Sequence, residues 1–128
     1  MIFVDSNIFV YAVGRAHPLR EEAQGFFLQS SQEGKRLVTS AEVLQELLHI
    51  YLPVGRMQTL DAALELATLG VDHLIPVNAE AVLHAHHLAD KHPALTARDL
   101  LHLATCHMEN IKELKTFDRN LLAAFRKA

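Results

Sequence analysis

Short β-rich runs alternate along the chain with longer segments in which apolar residues recur every three or four positions. Runs of the first kind predict buried strands, at residues 1–5, 36–40, 73–77 and 113–117. The longer segments predict helices, at roughly residues 7–14, 19–33, 41–52, 57–69, 79–91, 97–109 and 119–126. This alternation favours an α/β sandwich with a mostly parallel sheet, because parallel strands are joined by long right-handed crossovers.

Proline and glycine mark several of the predicted boundaries. Pro18 stands at the opening of the second helix, and Pro53 and Gly55 separate the third helix from the fourth. Gly70 directly follows the fourth helix, as is common at helix C-termini. Because no repeat, low-complexity stretch or long linker interrupts the pattern, we expect one domain over residues 1–128.

Composition narrows the class of protein. Half of the 128 residues are hydrophobic, enough for a core without disulfides. A single cysteine, nine histidines and no Cys-x-x-Cys pair indicate a reducing compartment and argue against a zinc ribbon. The N-terminus lacks a basic lead-in and a cleavage pattern, and no apolar run reaches the roughly 18 residues of a membrane span. We therefore expect a soluble cytoplasmic protein with no membrane partner.

Charge alone does not decide for or against a nucleic-acid partner. The formal charge of −3 and the pI of about 6.3 argue against a broad basic face that grips nucleic acid. If four carboxylates are gathered in one site, however, the remainder carries −3 + 4 = +1 and is mildly basic. A nuclease with its negative charge concentrated at one metal site is compatible with this balance.

Two aspartates stand at the ends of predicted strands. Asp5 ends the first strand, and Asp118 follows the fourth, ELKTF. If these strands are neighbours in a parallel sheet, both side chains emerge at its carboxyl edge, where open α/β sheets place their functional crevice. A carboxylate there gains nothing from packing, and two of them repel each other unless a cation or a shared proton compensates.

Two further carboxylates come from helices that begin near that edge. Glu46 lies in an apolar pattern with no structural role of its own, whereas Glu42 has the capping-box spacing with Thr39. We therefore choose Glu46 as the functional residue of the two. Asp99 has the same spacing with Thr96, so it is either a helix-start carboxylate, a site residue, or both.

Such a set of carboxylates suits hard divalent cations. Mg²⁺ and Mn²⁺ prefer oxygen ligands, and three or four carboxylates can hold one or two of these ions while leaving positions for water and phosphate. An ion of this kind activates water near neutral pH, and a second stabilises the leaving oxygen. The predicted chemistry is phosphodiester hydrolysis.

Four fragments resemble the successive acidic motifs of PIN-domain nucleases: FVDSNIFVYA, TSAEVLQELL, LTARDLLHLAT and LKTFDRNL. Their order and spacing, which cover nearly the whole chain, are most similar to those of VapC-type toxins. The resemblance implies a Mg²⁺- or Mn²⁺-dependent ribonuclease with a Rossmann-like three-layer α/β/α fold. It also implies an RNA substrate, a homodimer, and inhibition by a small VapB-like antitoxin.

The resemblance also assigns roles to individual residues. Asp5, Glu46 and Asp99 match the family's acidic triad, and Asp118 matches its fourth acidic position. The supporting positions are a small polar residue after the first aspartate and a hydroxyl before the last one, here Asn7 and Thr116. Asn120 and Leu121 depart from the acidic and aromatic residues of many relatives, which makes the surroundings of Asp118 less regular.

Other polar residues have simpler interpretations. We interpret the histidines near residues 84–92 as a solvated helix face, because no second spaced pair completes a zinc site. His102, one turn beyond Asp99, either contacts substrate or is partly buried against the sheet. Cys106 is expected to be a small buried hydrophobe. The remaining candidates are expected to be exposed charges, although the arginines and Lys91 could contact phosphate: Asp61, Glu65, Arg15, Arg20, Lys91, Arg98 and Arg119.

Two other functional classes compete with the ribonuclease toxin as interpretations of this sequence. A non-catalytic PIN-like protein-binding module would keep the scaffold, but the intact acidic set argues against it. A phosphatase with Asp5 as its nucleophile would be expected to carry a second aspartate two residues later, where this chain has Asn7.

Overall fold

Four parallel strands form the central sheet, seen in a computed structural model that describes residues 1–127. The strands are β1 (Ile2–Val4), β2 (Leu37–Ser40), β3 (His73–Ile75) and β4 (Glu113–Lys115). Their order across the sheet is β3-β2-β1-β4, and every neighbouring pair is parallel. The predicted α/β class with a parallel sheet is confirmed. Ala128, the last residue of the predicted domain, lies outside the described residues.

Seven α-helices connect and flank the strands. They are α1 (Ser6–Val13), α2 (Pro18–Gln32), α3 (Ala41–Tyr51), α4 (Met57–Leu69), α5 (Ala79–Leu88), α6 (Ala97–Met108) and α7 (Arg119–Lys127). Single 3₁₀ turns follow α3 at Leu52–Val54 and α5 at Ala89–Lys91. None of the helices in residues 1–127 combines the length and apolar character that a membrane span requires.

Several predicted boundaries are wrong by a few residues. The helix predicted at residues 79–91 ends at Leu88 and tightens into the 3₁₀ turn, because His92 precedes Pro93 and adopts φ −133°, ψ 65° outside the helical region. The strand predicted at 73–77 ends at Ile75, since Pro76 has no N–H for the ladder. β1 and β4 likewise end before Asp5 and Thr116. The Asp5 side chain accepts from the Ser6 N–H at the start of α1, and the Thr116 hydroxyl donates to Asp5.

Helix caps place three helix N-termini at the carboxyl edge of the sheet. Asp5, Ser40 and Asn78 cap α1, α3 and α5, each within three residues of the end of a strand. At the opposite end of α4, the Gly70 N–H donates to the Leu66 carbonyl at 2.8 Å. A Cβ at Gly70 would lie 2.5 Å from that carbonyl oxygen, so only glycine fits there.

Two apolar clusters cover the sheet. The larger one joins the strands to α1, α2, α3 and α4 and contains the fully buried Phe3, Val4, Ile8 and Phe9. The smaller one lies among α5, α6 and α7 and includes Leu103, which is 1% exposed. The resulting sheet flanked by helices agrees with the predicted α/β/α layering.

Candidate active site

Asp5 lies buried where β1 meets α1. Its main-chain N–H donates to the Lys115 carbonyl at 3.0 Å, which ties it to the end of β4. Its Oδ1 accepts from the Ser6 N–H at 2.7 Å, and its Oδ2 accepts from the Thr116 hydroxyl at 2.6 Å. Although the sequence suggested no gain from packing at this position, the carboxylate does have a structural role, since it caps α1.

Asn7 and Thr116 connect the loop after β4 to the start of α1. Asn7 Nδ2 donates to Thr116 Oγ1 at 3.2 Å, with Asp5 Oδ2 at 3.4 Å, and Asn7 Oδ1 accepts from the Phe117 N–H at 3.1 Å. Thr116 Oγ1 also accepts from the Asp118 N–H at 3.0 Å. One hydroxyl therefore serves both aspartates, and this network holds the orientation of the Asp5 carboxylate.

Glu46 reaches Asp5 from α3 through two intermediaries. The Ser6 hydroxyl donates to Glu46 Oε2 at 2.9 Å and lies 3.4 Å from Asp5 Oδ1. His102 Nε2, from α6, hydrogen-bonds Glu46 Oε1 and lies 3.6 Å from Asp5 Oδ1. We call Asp5, Glu46 and His102 the central trio.

The pKa values of Glu46 and His102 shift in opposite directions. Burial raises the pKa of Glu46, but the hydrogen bond and positive charge of His102 lower it by more, so the net shift is downward. Burial lowers the pKa of His102, but the Glu46 hydrogen bond and the negative charge of Asp5 raise it by more. Without a cation, both shifts favour the charged forms of Glu46 and His102.

Asp99 lies in the first turn of α6, within electrostatic reach of the other carboxylates. Burial raises the pKa of Asp99, and the negative charges of Asp118 and Asp5 raise it further. Its N–H donates to Thr96 Oγ1 at 3.3 Å, so the predicted cap of α6 is confirmed. A carboxyl in this position favours a compensating cation.

The sequence suggested that Asp118 directly follows a strand, but in the structure it does not. β4 ends at Lys115, and Thr116 and Phe117 separate the strand from Asp118. Its Oδ1 accepts from the Leu121 N–H at 3.0 Å, which caps the start of α7. β1 and β4 are neighbours, so Asp5 and Asp118 do emerge at the same edge.

The capping box predicted from Thr39 and Glu42 is wrong. β2 extends through Ser40, and the Thr39 hydroxyl donates across the sheet to the Val4 carbonyl at 2.8 Å. Ser40 caps α3 instead, accepting from the Val43 N–H at 3.3 Å. Burial and then the Glu46 charge raise the pKa of Glu42, which lies beside the trio and is not a member of it.

The central trio is chemically suited to a divalent cation. One ligand atom from each of its side chains lies within 4.8 Å of the other two, and within residues 1–127 this is the group of three metal-binding side chains that the geometry brings together. The nearby charges of Asp99 and Asp118 add to the negative potential. Two carboxylates and an imidazole are ordinary ligands of divalent metals in proteins.

The sequence matches a family model over nearly its whole length. The model of the PIN domain matches residues 2–127. The chain belongs to the PIN-domain family. It is 54% identical over 126 residues to Ribonuclease VapC23 of Mycobacterium tuberculosis, covering 98% of this chain and 99% of that protein. Ribonuclease VapC13 of the same organism is 40% identical over 119 residues, covering 93% and 91%.

Solved structures support the PIN fold. VapC20 of Mycobacterium tuberculosis, described as a sarcin-ricin loop cleaving toxin, superposes with a TM-score of 0.81 at 18% identity and covers 97% of this chain and 95% of its own. VapBC2 of Rickettsia felis, bound to a DNA fragment from its promoter, gives a TM-score of 0.66 at 18% identity, with 92% and 88% covered. At 18% identity, these structural similarities show a shared fold and nothing more.

Two residues of the candidate site were missed or left open by the sequence. Ser6 was not singled out, although it stands between Asp5 and Asn7. His102 was expected to contact substrate or to be partly buried; it is 1% exposed and faces the two carboxylates. The spacing of three residues from Asp99 along α6 was the available signal.

The other polar candidates and Cys106 are not members of the trio. Asp61 and Glu65 are exposed, as predicted. His84 packs edge-on against His107 of α6, with ring centroids 5.8 Å apart, so the histidine-rich face of α5 is not wholly solvated. Cys106 is 1% exposed, which confirms it as a small buried hydrophobe.

The Cys106 thiol is expected to resist alkylation in the folded protein. Burial raises its pKa to about 12, with the negative charge of Asp5 adding to the effect. Because thiolate is the nucleophile, at pH 8 only on the order of one thiol in 10,000 is reactive, and access is blocked as well. Mass spectrometry after iodoacetamide treatment should show no adduct in buffer and full modification in urea. Equal rates in both solutions would contradict the buried position.

Proposed function

We propose that this PIN-domain protein is a divalent-metal-dependent endoribonuclease, the toxin of a VapC-type toxin–antitoxin pair. The observation that carries the proposal is the meeting of Asp5 and Glu46 at the carboxyl edge of the sheet, with Asp99 and Asp118 within electrostatic reach. The ribonuclease names of VapC23 and VapC13, which match over nearly the full chain, support RNA as the substrate class.

The proposed metal is Mg²⁺ or Mn²⁺. Asp5 and Glu46 would be its principal ligands, and Asp99 and Asp118 would complete the negative site directly or through water. When bound, such an ion supplies Lewis-acid chemistry for phosphodiester hydrolysis. It also compensates the carboxylate charges that would otherwise repel a polyanionic substrate.

Neighbouring side chains keep the proposed ligands in place. The Thr116 hydroxyl and the Asn7 amide hold Asp5 Oδ2, and the Ser6 hydroxyl holds Glu46 Oε2. Such partners pre-organise a metal site, so less reorganisation is needed when the ion binds. Arg98 lowers the pKa of Glu46 by its charge and is half-buried at the start of α6, so we propose it as a phosphate contact.

The proposed partner is a small VapB-like antitoxin. The support is the VapC names of the curated relatives and the VapBC2 complex among the structural neighbours. A homodimer and a cytoplasmic location stay predictions.

Removal of divalent metal is expected to abolish RNA cleavage. The purified chain should cut RNA internally in Mn²⁺, and excess EDTA should lower the rate by at least about 100-fold because the carboxylates alone cannot activate water. Added Mn²⁺ should restore the rate. Gel analysis of end-labelled RNA measures all three conditions. Full cleavage in EDTA, or none in metal by a folded chain, would overturn the proposal; the latter result would favour a non-catalytic binding module.

A further inference from the structure

The His102 ring is hydrogen-bonded on one side and held by packing on the other. It is 1% exposed on α6, and its centroid lies 5.6 Å from that of the Phe3 ring at an interplanar angle of 48°. Among the described residues, no hydrogen-bond partner meets its Nδ1. The ring is therefore confined in one orientation by its apolar surroundings.

That orientation directs the other nitrogen at the two carboxylates. His102 Nε2 contacts Glu46 Oε1 and lies 3.6 Å from Asp5 Oδ1. Since Nδ1 has no partner among the described residues, Nε2 is the ring nitrogen with polar contacts; a cation bound there would displace the proton between Nε2 and Glu46 and leave the ring proton on Nδ1. The chemistry available to His102 is thus restricted to what Nε2 does between Asp5 and Glu46.

We propose that His102 Nε2 is a direct ligand of the metal held by Asp5 and Glu46, which makes the centre a mixed nitrogen–oxygen site selective for Mn²⁺ over Mg²⁺. This inference rests on the proposed metal-dependent function and adds the identity of the ion. Mg²⁺ binds oxygen ligands and keeps several waters, whereas an imidazole suits transition metals. A nitrogen donor among the carboxylates therefore gives a stronger preference for Mn²⁺ over Mg²⁺ than a site with oxygen ligands alone.

A different arrangement would leave Nε2 as a hydrogen-bond donor to Glu46 while the carboxylates alone bind the ion. The two arrangements differ in one observable, the magnetic coupling between the bound metal and a histidine nitrogen. Mn²⁺ is paramagnetic, so pulsed electron paramagnetic resonance of the Mn²⁺-loaded full chain detects a directly bonded ¹⁴N.

The experiment compares wild type with His102→Gln and with His84→Gln, a control that removes a histidine paired with His107 outside the site. Wild type and His84→Gln should show the nitrogen coupling, and His102→Gln should lose it. The ratio of Mg²⁺ to Mn²⁺ dissociation constants, measured by competition, should fall about tenfold in His102→Gln and stay unchanged in the control.

Mn²⁺ bound without nitrogen coupling in wild type, or coupling that persists in His102→Gln, would overturn this ligand assignment while leaving the metal centre in place. No bound Mn²⁺ in wild type would overturn the proposed metal dependence as well. If His102→Gln does not fold, wild type grown with ¹⁵N-histidine decides the matter: a spectrum changed by the isotope supports the bond, and an unchanged one contradicts it.

Discussion

Asp5→Asn is expected to lower RNA cleavage roughly 1,000-fold while leaving the fold intact. The substitution removes one negative charge from the proposed metal ligand, and a catalytic metal supplies several kcal/mol of transition-state stabilisation. The cap on α1 should survive, because asparagine accepts from the Ser6 N–H as well as aspartate does. The Thr116 side loses one hydrogen bond, worth about 1 kcal/mol, because Thr116 Oγ1 already accepts from Asn7 and from the Asp118 N–H; a domain of this size tolerates that loss.

The measurement is the initial rate on end-labelled RNA at saturating Mn²⁺, with circular dichroism as the check on folding. Asp61→Asn, the same chemical change on the exposed face of α4, is the matched control and should cleave at the wild-type rate. An Asp5→Asn protein that is folded and cuts RNA within threefold of wild type would remove Asp5 from the catalytic set.

Phe9→Ala is expected to have the largest effect on stability. Phe9 is 0% exposed on α1, and its ring centroid lies 5.5 Å from that of Phe27 on α2. Emptying such a position costs about 3–5 kcal/mol, from lost burial and the cavity that remains. Since a domain of this size is stable by only about 5–15 kcal/mol, much of the free energy of unfolding should be lost.

Urea titration followed by circular dichroism measures this loss as a fall in the midpoint at constant slope. Leu28→Ala is the control, because Leu28 lies on the same helix as Phe27 but is 62% exposed and should change stability by less than about 0.5 kcal/mol. A loss below about 1 kcal/mol for Phe9→Ala would contradict the packing of α1 in the core.

The elements of the fold were largely predictable, and their ends were not. Apolar periodicity identified every helix and strand because burial on one face leaves a pattern in the sequence. Strand ends depend on which main-chain groups find a partner in the neighbouring strand, and the local sequence does not contain that information. Asp5 illustrates this: it was predicted as a strand residue, yet its side chain caps the next helix.

The sequence could propose the carboxylates of the candidate site but not the contacts among them. Asp5, Glu46, Asp99 and Asp118 were selected by position relative to the predicted elements and by resemblance to PIN motifs. The bridge from Ser6 to Glu46 joins residues 40 positions apart, and the His102–Glu46 contact joins residues 56 apart. Contacts of this range depend on how helices pack, which no local pattern shows.

The central claim, that these carboxylates hold a divalent metal, is tested most directly by calorimetric titration of Mn²⁺ into wild type and Asp5→Asn. Saturable binding by wild type, weakened at least about tenfold in a folded Asp5→Asn protein, is the predicted result. Equal affinity in the two proteins, or no binding by wild type at millimolar Mn²⁺, would contradict it.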